Sequence, residues 1–437
     1  MLIPIVAAFG LTPGCGSKTA EVASSKTNPA TQTPDSQAPE TQPSTYEPLA
    51  YEATAEQLLD ARLAVDKSRD GWIRLFDGHT FFGWQIAGKA NFEIEDQTIT
   101  VDSGDVCLLC TTVPWDDYEL HLQFRASPET NSGIFLRTPL EVSDPATECF
   151  EVNIAPASNP FPTGSVVKHA KGTVVEATSA EQWHDMHLTV AKQTVTVEID
   201  GEVTCEVTSD VVPRTGLIGL QHNSGPVAFR EILLRPSGME SLLDAGLSRW
   251  KQYPEMPGEF IATEDGGLRV QGGKQQLESR DLFGDFTLLA NYRMNQAGSN
   301  SGLFFRSIPG DEMMGYECQV NDTIVDGNPL SPEDCGTGGV FRRQDARIVL
   351  GTPDRSANSI LLNANGPRFA SWVNGVQVSD IFDTRDTDAN PRRGLRTEPG
   401  TLIVQGHDEK TDVSYSELAI KPNSNDTDAG GFATPAE

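Results

Sequence analysis

The sequence predicts an all-β protein built of two tandem β-sandwiches, and two observations lead to this fold class. One segment occurs twice, as NSGIFLR at 131–137 and as NSGLFFR at 300–306. Apolar and polar residues alternate with a period of two in many segments, whereas helical periodicity is rare. A repeat within 437 residues indicates two copies of one fold, each long enough to bury its own core. We place the copies at 71–236 and 237–422.

Period-two segments and tight turns predict the strands of each copy. Residues 118–124 alternate cleanly, and so do residues 195–199, which lead into Asp200-Gly201. In the second copy, residues 369–373 lead into Asn374-Gly375. Asp-Gly and Asn-Gly favour two-residue hairpin turns, so both copies are predicted to place a hairpin at the same point.

Two short helices are predicted, one before each copy. Residues 49–70 form a helical lead-in, in which Thr54 to Gln57 is a capping box that starts a helix reaching about Lys67. Residues 240–250 are predicted to form a helix that leads into the second copy.

The N-terminus has the features of an export signal. Residues 2–11 form an apolar run that is too short to span a bilayer and that leads to Cys15, as in bacterial lipoprotein signals. The first basic residue is Lys18, which departs from such signals and leaves a plain apolar tail as the alternative. We interpret residues 1–15 as a lipoprotein-type signal with Cys15 as the lipidated residue. We therefore expect export to the cell envelope or periplasm, with membrane contact only through that lipid.

Polar segments flank the folded part. The Ser-, Thr- and Pro-rich stretch 16–48 lacks the apolar residues of a core, and we predict a disordered linker there and a disordered tail at 423–437. An exported protein favours disulfides, so Cys318 and Cys335 are a candidate pair, with buried free thiols as the alternative.

The acidic composition restricts the partners. Lys and Arg total 33 against 62 Asp and Glu, which gives a formal charge of −29. Nucleic acids and anionic lipids bind clustered cations, so we expect neither as a partner. Cys107 and Cys110 form a single C-x-x-C, which is weak evidence for zinc without a second pair or histidines. We expect no metal and no cofactor.

Strand parity predicts a polar face in each copy. Glu151 and Asn153 lie on one face of their strand, opposite an apolar set, and Glu317 and Gln319 repeat this arrangement in the second copy. A sheet with one apolar face and a face of carboxylate and amide groups could line a groove. An ordinary solvated strand face is the alternative, but the recurrence of the pattern favours a site.

The motifs, taken in order, resemble the 3-keto-disaccharide hydrolase family over about 71–236 and 240–422. In the first copy they are Leu75 to Thr80, Gly83-Trp84, Asn131 to Arg137, Glu151, Thr163-Gly164, Gln182-Trp183, Gly216 to Gln221 and Phe229-Arg230; in the second they are Asn300 to Arg306, Gly315 to Gln319, Thr337-Gly338, Trp372, Asn374-Gly375 and Gln405 to His407. The resemblance implies a concanavalin-A-like jelly-roll sandwich in each copy and a carbohydrate substrate, specifically a 3-keto-glycoside. The copies differ, since His222 follows Gln221 directly whereas Gln405 and His407 are two residues apart.

The resemblance suggests chemistry at these positions. A ketone at C3 of a sugar acidifies the proton at C2, so the glycosidic bond can break by elimination and water can then add. This requires a base, a cation or donor for the enolate, and an acid for the leaving oxygen. The candidates are Glu317 or Glu151 as the base, His407 as the acid, and Arg306 or Arg137 as the enolate stabiliser. The candidate substrate-binding residues are Asn300, Gln319, Gln405, Asn131, Asn153, Gln221 and Arg230.

Other interpretations remain open. Arg137 and Arg306 could form structural salt bridges with the two glutamates, and conventional hydrolysis would need a second acid such as Glu312 or Asp322. The whole protein could be a non-catalytic glycan-binding protein with paired lectin-like sandwiches, or one copy could catalyse while the other binds.

Overall fold

The computed structural model describes residues 51–175, 177, 179, 181–352 and 356–423. The predicted signal at 1–15 with Cys15, the linker 16–48 and residues 424–437 of the predicted tail lie outside the described residues. No helix in the described ranges is both long and apolar enough to cross a membrane.

The first sandwich consists of an eight-stranded large sheet and a five-stranded small sheet. Its strands are β1 (Ile73–Arg74), β2 (Trp84–Ala87), β3 (Ala90–Glu95), β4 (Thr98–Gly104), β5 (Cys107–Thr111), β6 (Tyr118–Ala126), β7 (Asn131–Thr138), β8 (Phe150–Ile154), β9 (His184–Ala191), β10 (Thr194–Ile199), β11 (Glu202–Thr208), β12 (Leu217–Ser224) and β13 (Val227–Pro236). The large sheet has the order β11-β10-β9-β6-β13-β4-β3, with β1 also paired to β13, and the small sheet has the order β2-β5-β12-β7-β8.

The second sandwich repeats this arrangement strand by strand. Its strands are β14 (Glu240–Ser241), β15 (Trp250–Gln252), β16 (Glu259–Ala262), β17 (Leu268–Gln271), β18 (Gln275–Ser279), β19 (Phe286–Met294), β20 (Ser301–Ser307), β21 (Tyr316–Val320), β22 (Asn358–Asn365), β23 (Arg368–Val373), β24 (Val376–Phe382), β25 (Thr401–Gly406) and β26 (Asp412–Pro422). The sheet orders, β24-β23-β22-β19-β26-β17-β16 and β15-β18-β25-β20-β21, match those of the first sandwich. The predicted fold class, two tandem concanavalin-A-like jelly-roll β-sandwiches, is confirmed.

The predicted strands and hairpins form where the alternation places them. β6 alternates between buried and half-buried residues along its whole length, as a strand with one core face should. The hairpin between β10 and β11 turns at Asp200-Gly201, and the one between β23 and β24 turns at Asn374-Gly375. All four of these residues have positive φ, between 50° and 86°, which is the backbone of the turn that matches the strand twist.

The helical predictions are only partly correct. The capping box of Thr54 starts α1 (Ala55–Asp60), but that helix ends early, and a separate α2 (Val65–Arg69) follows. Between them the Leu63 amide bonds the Asn374 carbonyl of the second sandwich, which competes with helix continuation. The predicted helix at 240–250 is wrong, because its ends pair as β14 and β15. A third helix, α3 (Pro145–Glu148), and a short 3₁₀ segment (Val325–Gly327) lie in loops.

The first sandwich covers the outer face of the second large sheet. Leu289, Leu361 and Trp372 point away from the second core and belong to the core cluster of the first sandwich. The centroid of the Trp372 ring lies 5.5 Å from that of Trp115. β19 is therefore buried on both faces, whereas its counterpart β6 is buried on one.

The six cysteines in the described ranges are all buried and free. Cys318 and Cys335 are not bonded to each other, so the alternative of buried thiols describes this structure. Burial raises the pKa of the Cys318 thiol to about 12, which keeps it protonated and unreactive.

A buried ion pair across this interface gives the first prediction. Arg347 Nη2 lies 2.8 Å from Asp77 Oδ2, and the two side chains are only 15% and 6% exposed. We expect Arg347→Ala to lower the free energy of unfolding by about 3–5 kcal/mol, because it leaves a buried carboxylate without its partner. Urea unfolding followed by fluorescence measures this. Arg393→Ala removes an exposed pair with Asp388, so it should cost less than about 1 kcal/mol. Equal losses for the two variants would contradict the prediction.

Candidate functional site

Arg137 and Arg306 lie in the protein interior and not on the surface of a groove. Both residues are 0% exposed. Arg306 Nη2 lies 2.7 Å from Asp285 Oδ1, and Arg137 Nη2 lies 2.9 Å from Asp117 Oδ1. The expectation that these arginines stabilise an enolate is therefore wrong, and so is the alternative that they pair with the neighbouring glutamates.

The physical reason is a left-handed residue at the end of each strand. The φ angle is +54° at Arg137 and +48° at Arg306. Such a residue interrupts the alternation of faces, and the ladder between β20 and β25 shifts register at this point. Gly302 and Phe304 keep to the open face of the small sheet, whereas Arg306 turns inward.

Polar side chains from three strands, β18, β21 and β25, meet around Gly302 of β20 on the open face of the second small sheet. On β20, Gly302 lies opposite Gln319 of β21, two residues from Glu317. On β25, Gln405 lies opposite Gln276 of β18. The alternate residues of β21 belong to the hydrophobic core, so the predicted faces of this strand are correct.

The glycine of each repeated motif makes room for this arrangement. A Cβ atom at Gly302 would lie 2.8 Å from Glu317 Oε1 and 3.1 Å from Gln405 Oε1. At Gly133 a Cβ would lie 2.9 Å from the Val152 carbonyl oxygen. The glycine of each Asn-Ser-Gly motif therefore lies within a strand, in contact with the glutamate and the glutamine of the open face.

Glu317 is the most perturbed carboxyl group of this face. It is 8% exposed. Burial raises the pKa of the Glu317 carboxyl to about 7, and the charge of Asp334 adds to the rise, while Arg392 and His407 oppose it. A carboxyl group with such a pKa exchanges its proton near neutral pH.

The amide side chains beside Glu317 are oriented by hydrogen bonds, and two of their carbonyl oxygens accept none within the described ranges. Gln319 Nε2 donates to Asn300 Oδ1 at 3.0 Å, and Asn300 Nδ2 donates to Asp334 Oδ2 at 3.0 Å. The Oε1 atoms of Gln319 and Gln405 are buried and have no hydrogen-bond partner among the described residues. Two oriented acceptors are thus available to hydroxyl groups of a ligand.

Residues 308–315, here called the roof loop, close one side of this face. Gln276 Oε1 accepts from the Met313 amide at 2.8 Å, which ties the loop to β18. Arg392 Nη2 donates to the Met313 carbonyl at 2.7 Å, and Gln405 Nε2 lies 3.5 Å from Met313 Sδ. Met313 therefore links the arginine to the floor of the site.

These groups surround what we call the second cavity, with a volume of about 430 Å³. His407 lies at its exposed edge, with Nδ1 3.0 Å from Asp408 Oδ2. Lys274 and Glu312 form an ion pair at the opening. The lining residues are Lys274, Glu312, Met313, Met314, Glu317, Gln319, Asp334, Phe341, Arg392, Gln405 and His407.

The second cavity brings together Glu317, Gln319, Gln405 and His407 from the predicted set, with Asn300 behind Gln319. The sequence reasoning missed Lys274, Asp334 and Arg392. These three come from loops that are distant in sequence, and no periodicity marks them. Gln276 could have been found, since it alternates with the core residue Leu277 on β18.

The first sandwich has a cavity at the equivalent place, which we call the first cavity, with a volume of about 510 Å³. Glu141, Glu151, Gln221 and Asn223 provide its polar side chains. Asn223 corresponds to His407, because each lies two residues beyond its glutamine. His222 is 2% exposed and points away from this face, as its parity predicts. Burial raises the pKa of Glu151.

Three predicted binding residues of the first copy lie away from this cavity. Arg230 is on β13 of the large sheet, where its Nε donates to Gln123 Oε1 at 2.7 Å and its guanidinium stacks on Trp183. The assignment of Arg230 to the site is therefore wrong. Asn153 Nδ2 donates to the Phe161 carbonyl, and Asn131 starts β7 at its half-buried edge.

The alternative second acids occupy different surroundings. Asp322 is buried in the core and accepts hydrogen bonds from Tyr292 Oη and Thr337 Oγ1, so it cannot assist Glu317. Glu312 lies at the opening, paired with Lys274. Among the described residues, no group of three or more His, Cys, Asp or Glu side chains is placed to hold a metal ion.

Comparison with known families matches two regions of the chain, 71–235 and 238–421, to the 3-keto-alpha-glucoside-1,2-lyase-like domain. The chain belongs to this family. The matched regions coincide with the two sandwiches, so both are members of the 3-keto-alpha-glucoside-1,2-lyase-like family. Membership supports a carbohydrate-related function. No curated protein sequence matches the chain.

Three solved structures that are similar to the chain each match less than half of it. A provisionally assigned glycosyl hydrolase from Parabacteroides distasonis is 14% identical, covers 40% of this chain and 97% of its own, and has a TM-score of 0.35. A second such protein from the same organism is 20% identical, covers 38% and 98%, and has a TM-score of 0.32. The carbohydrate-binding module CBM66 from Bacillus subtilis is 13% identical, covers 35% and 95%, and has a TM-score of 0.28.

The raised pKa of Glu317 predicts a pH-dependent stability. The folded protein holds this proton more tightly than the unfolded chain does. Protonation of Glu317 therefore stabilises the folded protein fully below about pH 4.5, and this stabilisation is lost as the pH rises through about 7. Glu317→Gln should therefore stabilise the protein at pH 8 by up to about 3 kcal/mol and have little effect at pH 4.5. Thermal unfolding of both proteins across pH 4.5–8 measures this. The exposed Glu264→Gln serves as the control, and a difference that does not change with pH would contradict the prediction.

The space at Gly302 predicts a specific steric cost. Gly302→Ala should displace Glu317 and Gln405 and lower the free energy of unfolding by about 1–3 kcal/mol. At Gly246 an added Cβ would approach only Asp244 Oδ1, at 3.6 Å, so Gly246→Ala should be nearly neutral. Urea unfolding compares the two variants, and equal stabilities would show that the Gly302 position tolerates a side chain.

Proposed function

We propose that the protein is an exported carbohydrate-active enzyme that cleaves 3-keto-glycosides by elimination and hydration, with the second cavity as its active site. One observation carries the proposal. The buried carboxyl group of Glu317, with a pKa of about 7, lies in a cavity beside two unused amide acceptors. Such a group suits proton removal next to a ketone, and the acceptors suit the hydroxyl groups of a sugar.

In the first step, the Glu317 carboxylate removes the proton from C2 of the 3-keto sugar. The electron pair of the C2–H bond forms an enolate whose negative charge lies on the C3 oxygen. The guanidinium of Arg392 acts on the charge of Glu317. It is the cation that we propose for the enolate in place of Arg306.

In the second step, the enolate re-forms the ketone and expels the C1 oxygen. The C1–O bond breaks, a C1–C2 double bond forms, and the leaving oxygen takes a proton from His407 at the edge of the cavity. Water then adds across the double bond, with hydroxide at C1 and a proton at C2. One water molecule is consumed, and the products are a free 3-keto sugar and an alcohol.

The amides and aromatic rings supply orientation. The Gln319 and Gln405 acceptors face the position of the ring hydroxyls. Phe341 lines the cavity and offers an apolar surface to one face of the sugar. Asn300 and Asp334 accept hydrogen bonds from the Gln319 amino group, which fixes the orientation of this amide and leaves its carbonyl oxygen for a ligand.

The test is aglycone release from 3-keto-glucosides, with the unoxidised glucosides as comparison substrates. We expect release from the oxidised substrates only, with a rate that rises with pH as Glu317 deprotonates near pH 7. Glu317→Gln should lower kcat/KM at least about 100-fold, because it removes the base. Glu264→Gln, an exposed substitution in the turn between β16 and β17, should leave the rate unchanged.

Separate substitutions of Glu151 and Glu317 show which sandwich contains the active site. A rate that falls with Glu151→Gln and not with Glu317→Gln would move the active site to the first sandwich. Release that is equal in wild type and in the variant carrying both substitutions would refute the enzyme proposal. Glycan binding that persists without turnover would favour the second candidate, a non-catalytic glycan-binding protein, to which the apolar lining of the first cavity lends support.

A further inference from the structure

The two cavities differ in chemistry although their backbones correspond. Gln221 lies opposite Leu108 in the first small sheet, and Gln405 lies opposite Gln276 in the second. Leu108 therefore stands where the second sandwich has Gln276. Val106 precedes Leu108 by two residues, as Lys274 precedes Gln276, so Val106 occupies the position that Lys274 has in the second sandwich.

Polar residues in the loops around the second cavity are also replaced in the first sandwich. Hydrogen bonds of the Thr-Gly pairs, 163–164 and 337–338, align the segments after β8 and β21. Pro160 then corresponds to Asp334, and Asn223 replaces His407. The described residues that line the first cavity therefore include no lysine, arginine or histidine, and the second carboxylate among them, Glu141, is an exposed residue of the loop after β7. Without a cation or a proton donor in the lining, we expect no elimination there.

The first cavity nevertheless keeps one polar end. Gln221 is 6% exposed and lines the cavity, and its Oε1 atom is buried with no hydrogen-bond partner in the described ranges. Glu151 lies beside it, and the Gln221 amide lowers the pKa of Glu151 against the effect of burial. An oriented acceptor and a carboxylate form a place for adjacent hydroxyl groups.

The other end of the first cavity is apolar and partly open to solvent. Leu108, Phe135 and Val142 line it, and Val106 and Leu140 at its opening are 63% and 37% exposed. The exposed Glu141, between Leu140 and Val142, is the charged residue at this end. In the second cavity the equivalent of Val106 is a lysine. An exposed apolar patch next to oriented polar groups suits a ligand that has one apolar part and one part rich in hydroxyl groups.

We propose that the first cavity is a non-catalytic binding site for glycosides that carry an apolar aglycone. The sugar hydroxyls meet Glu151, Gln221 and Asn223, and an aryl or alkyl aglycone packs on Val106, Leu108 and Leu140. The inference concerns a different cavity from the proposed active site and holds whether or not the second cavity is catalytic.

The experiment uses the full chain with Glu317→Gln, which removes the proposed base of the second cavity, and measures calorimetric binding of 4-nitrophenyl glucoside and methyl glucoside. We expect the nitrophenyl compound to bind at least about 10-fold more tightly. Val106→Lys combined with Leu108→Gln, which copies the second cavity, should lower its affinity at least about 10-fold. The matched pair Lys274→Val with Gln276→Leu should not lower it.

Hydrogen exchange on the chain with no substitution in the first sandwich keeps the proposal testable if the double variant fails to fold. The nitrophenyl glucoside should protect residues 105–112 and 217–224. Protection confined to 274–279 and 401–407 would overturn the proposal, and so would equal affinities for the two glucosides. Absence of turnover in the wild type would refute only the proposed enzymatic function.

Discussion

A buried arginine–aspartate pair joins the two sheets of each sandwich. Arg137 and Arg306 leave the small sheet at the ends of β7 and β20, and their aspartate partners immediately precede β6 and β19 of the large sheet. The remaining donors of Arg306 are satisfied by the carbonyls of Gly284, Gly366 and Arg396. A buried pair is favourable only when its hydrogen bonds are completed in this way, and removing Asp285 would leave the buried charge of Arg306 without its carboxylate. In the first sandwich the pair belongs to a larger group of charges, since Lys421 also lies 3.0 Å from Asp117. The position of the small sheet, and with it each cavity, depends on this pair.

The backbone at the arginine of this pair also limits how much of the site can be predicted from the sequence. Parity correctly placed Glu317 and Gln319 on the open face, because β21 is a regular strand. It failed at Arg306, since one left-handed residue resets the alternation and no local sequence signal distinguishes it from a strand residue. The duplication, the hairpins and the capping box were local and predictable. The roof loop and Arg392 were not, because tertiary contacts alone bring them to the cavity. The same holds for β14 and β15, where pairing overrode a helical pattern.

The glycine of the repeated motif shows what the two copies have in common. Gly133 and Gly302 each remove a side chain from the centre of the small sheet, which allows a glutamate and a glutamine to approach from the flanking strands. Both copies therefore retain a floor with one carboxylate and one amide acceptor. The backbone fixes this floor, whereas the residues around the opening of each cavity, here called the rim, come from one flanking strand and from the loops. Divergence of function between the copies needs only changes at the rim.

The flanking strand decides both the chemistry and the cover of each cavity. In the second sandwich, Glu278 accepts the Gly310 amide and Gln276 accepts the Met313 amide, so β18 holds the roof loop over Glu317. Without that cover Glu317 would be better hydrated, and its pKa would fall towards the ordinary value. Leu108 and Cys110 occupy the equivalent positions on β5 and cannot accept these bonds. The corresponding loop of the first sandwich instead closes on itself through Glu148, which accepts the amides of Ser143 and Asp144. Apolar residues on β5 thus cannot hold a roof loop, and they also make one end of the first cavity apolar, so the two differences between the copies have one cause.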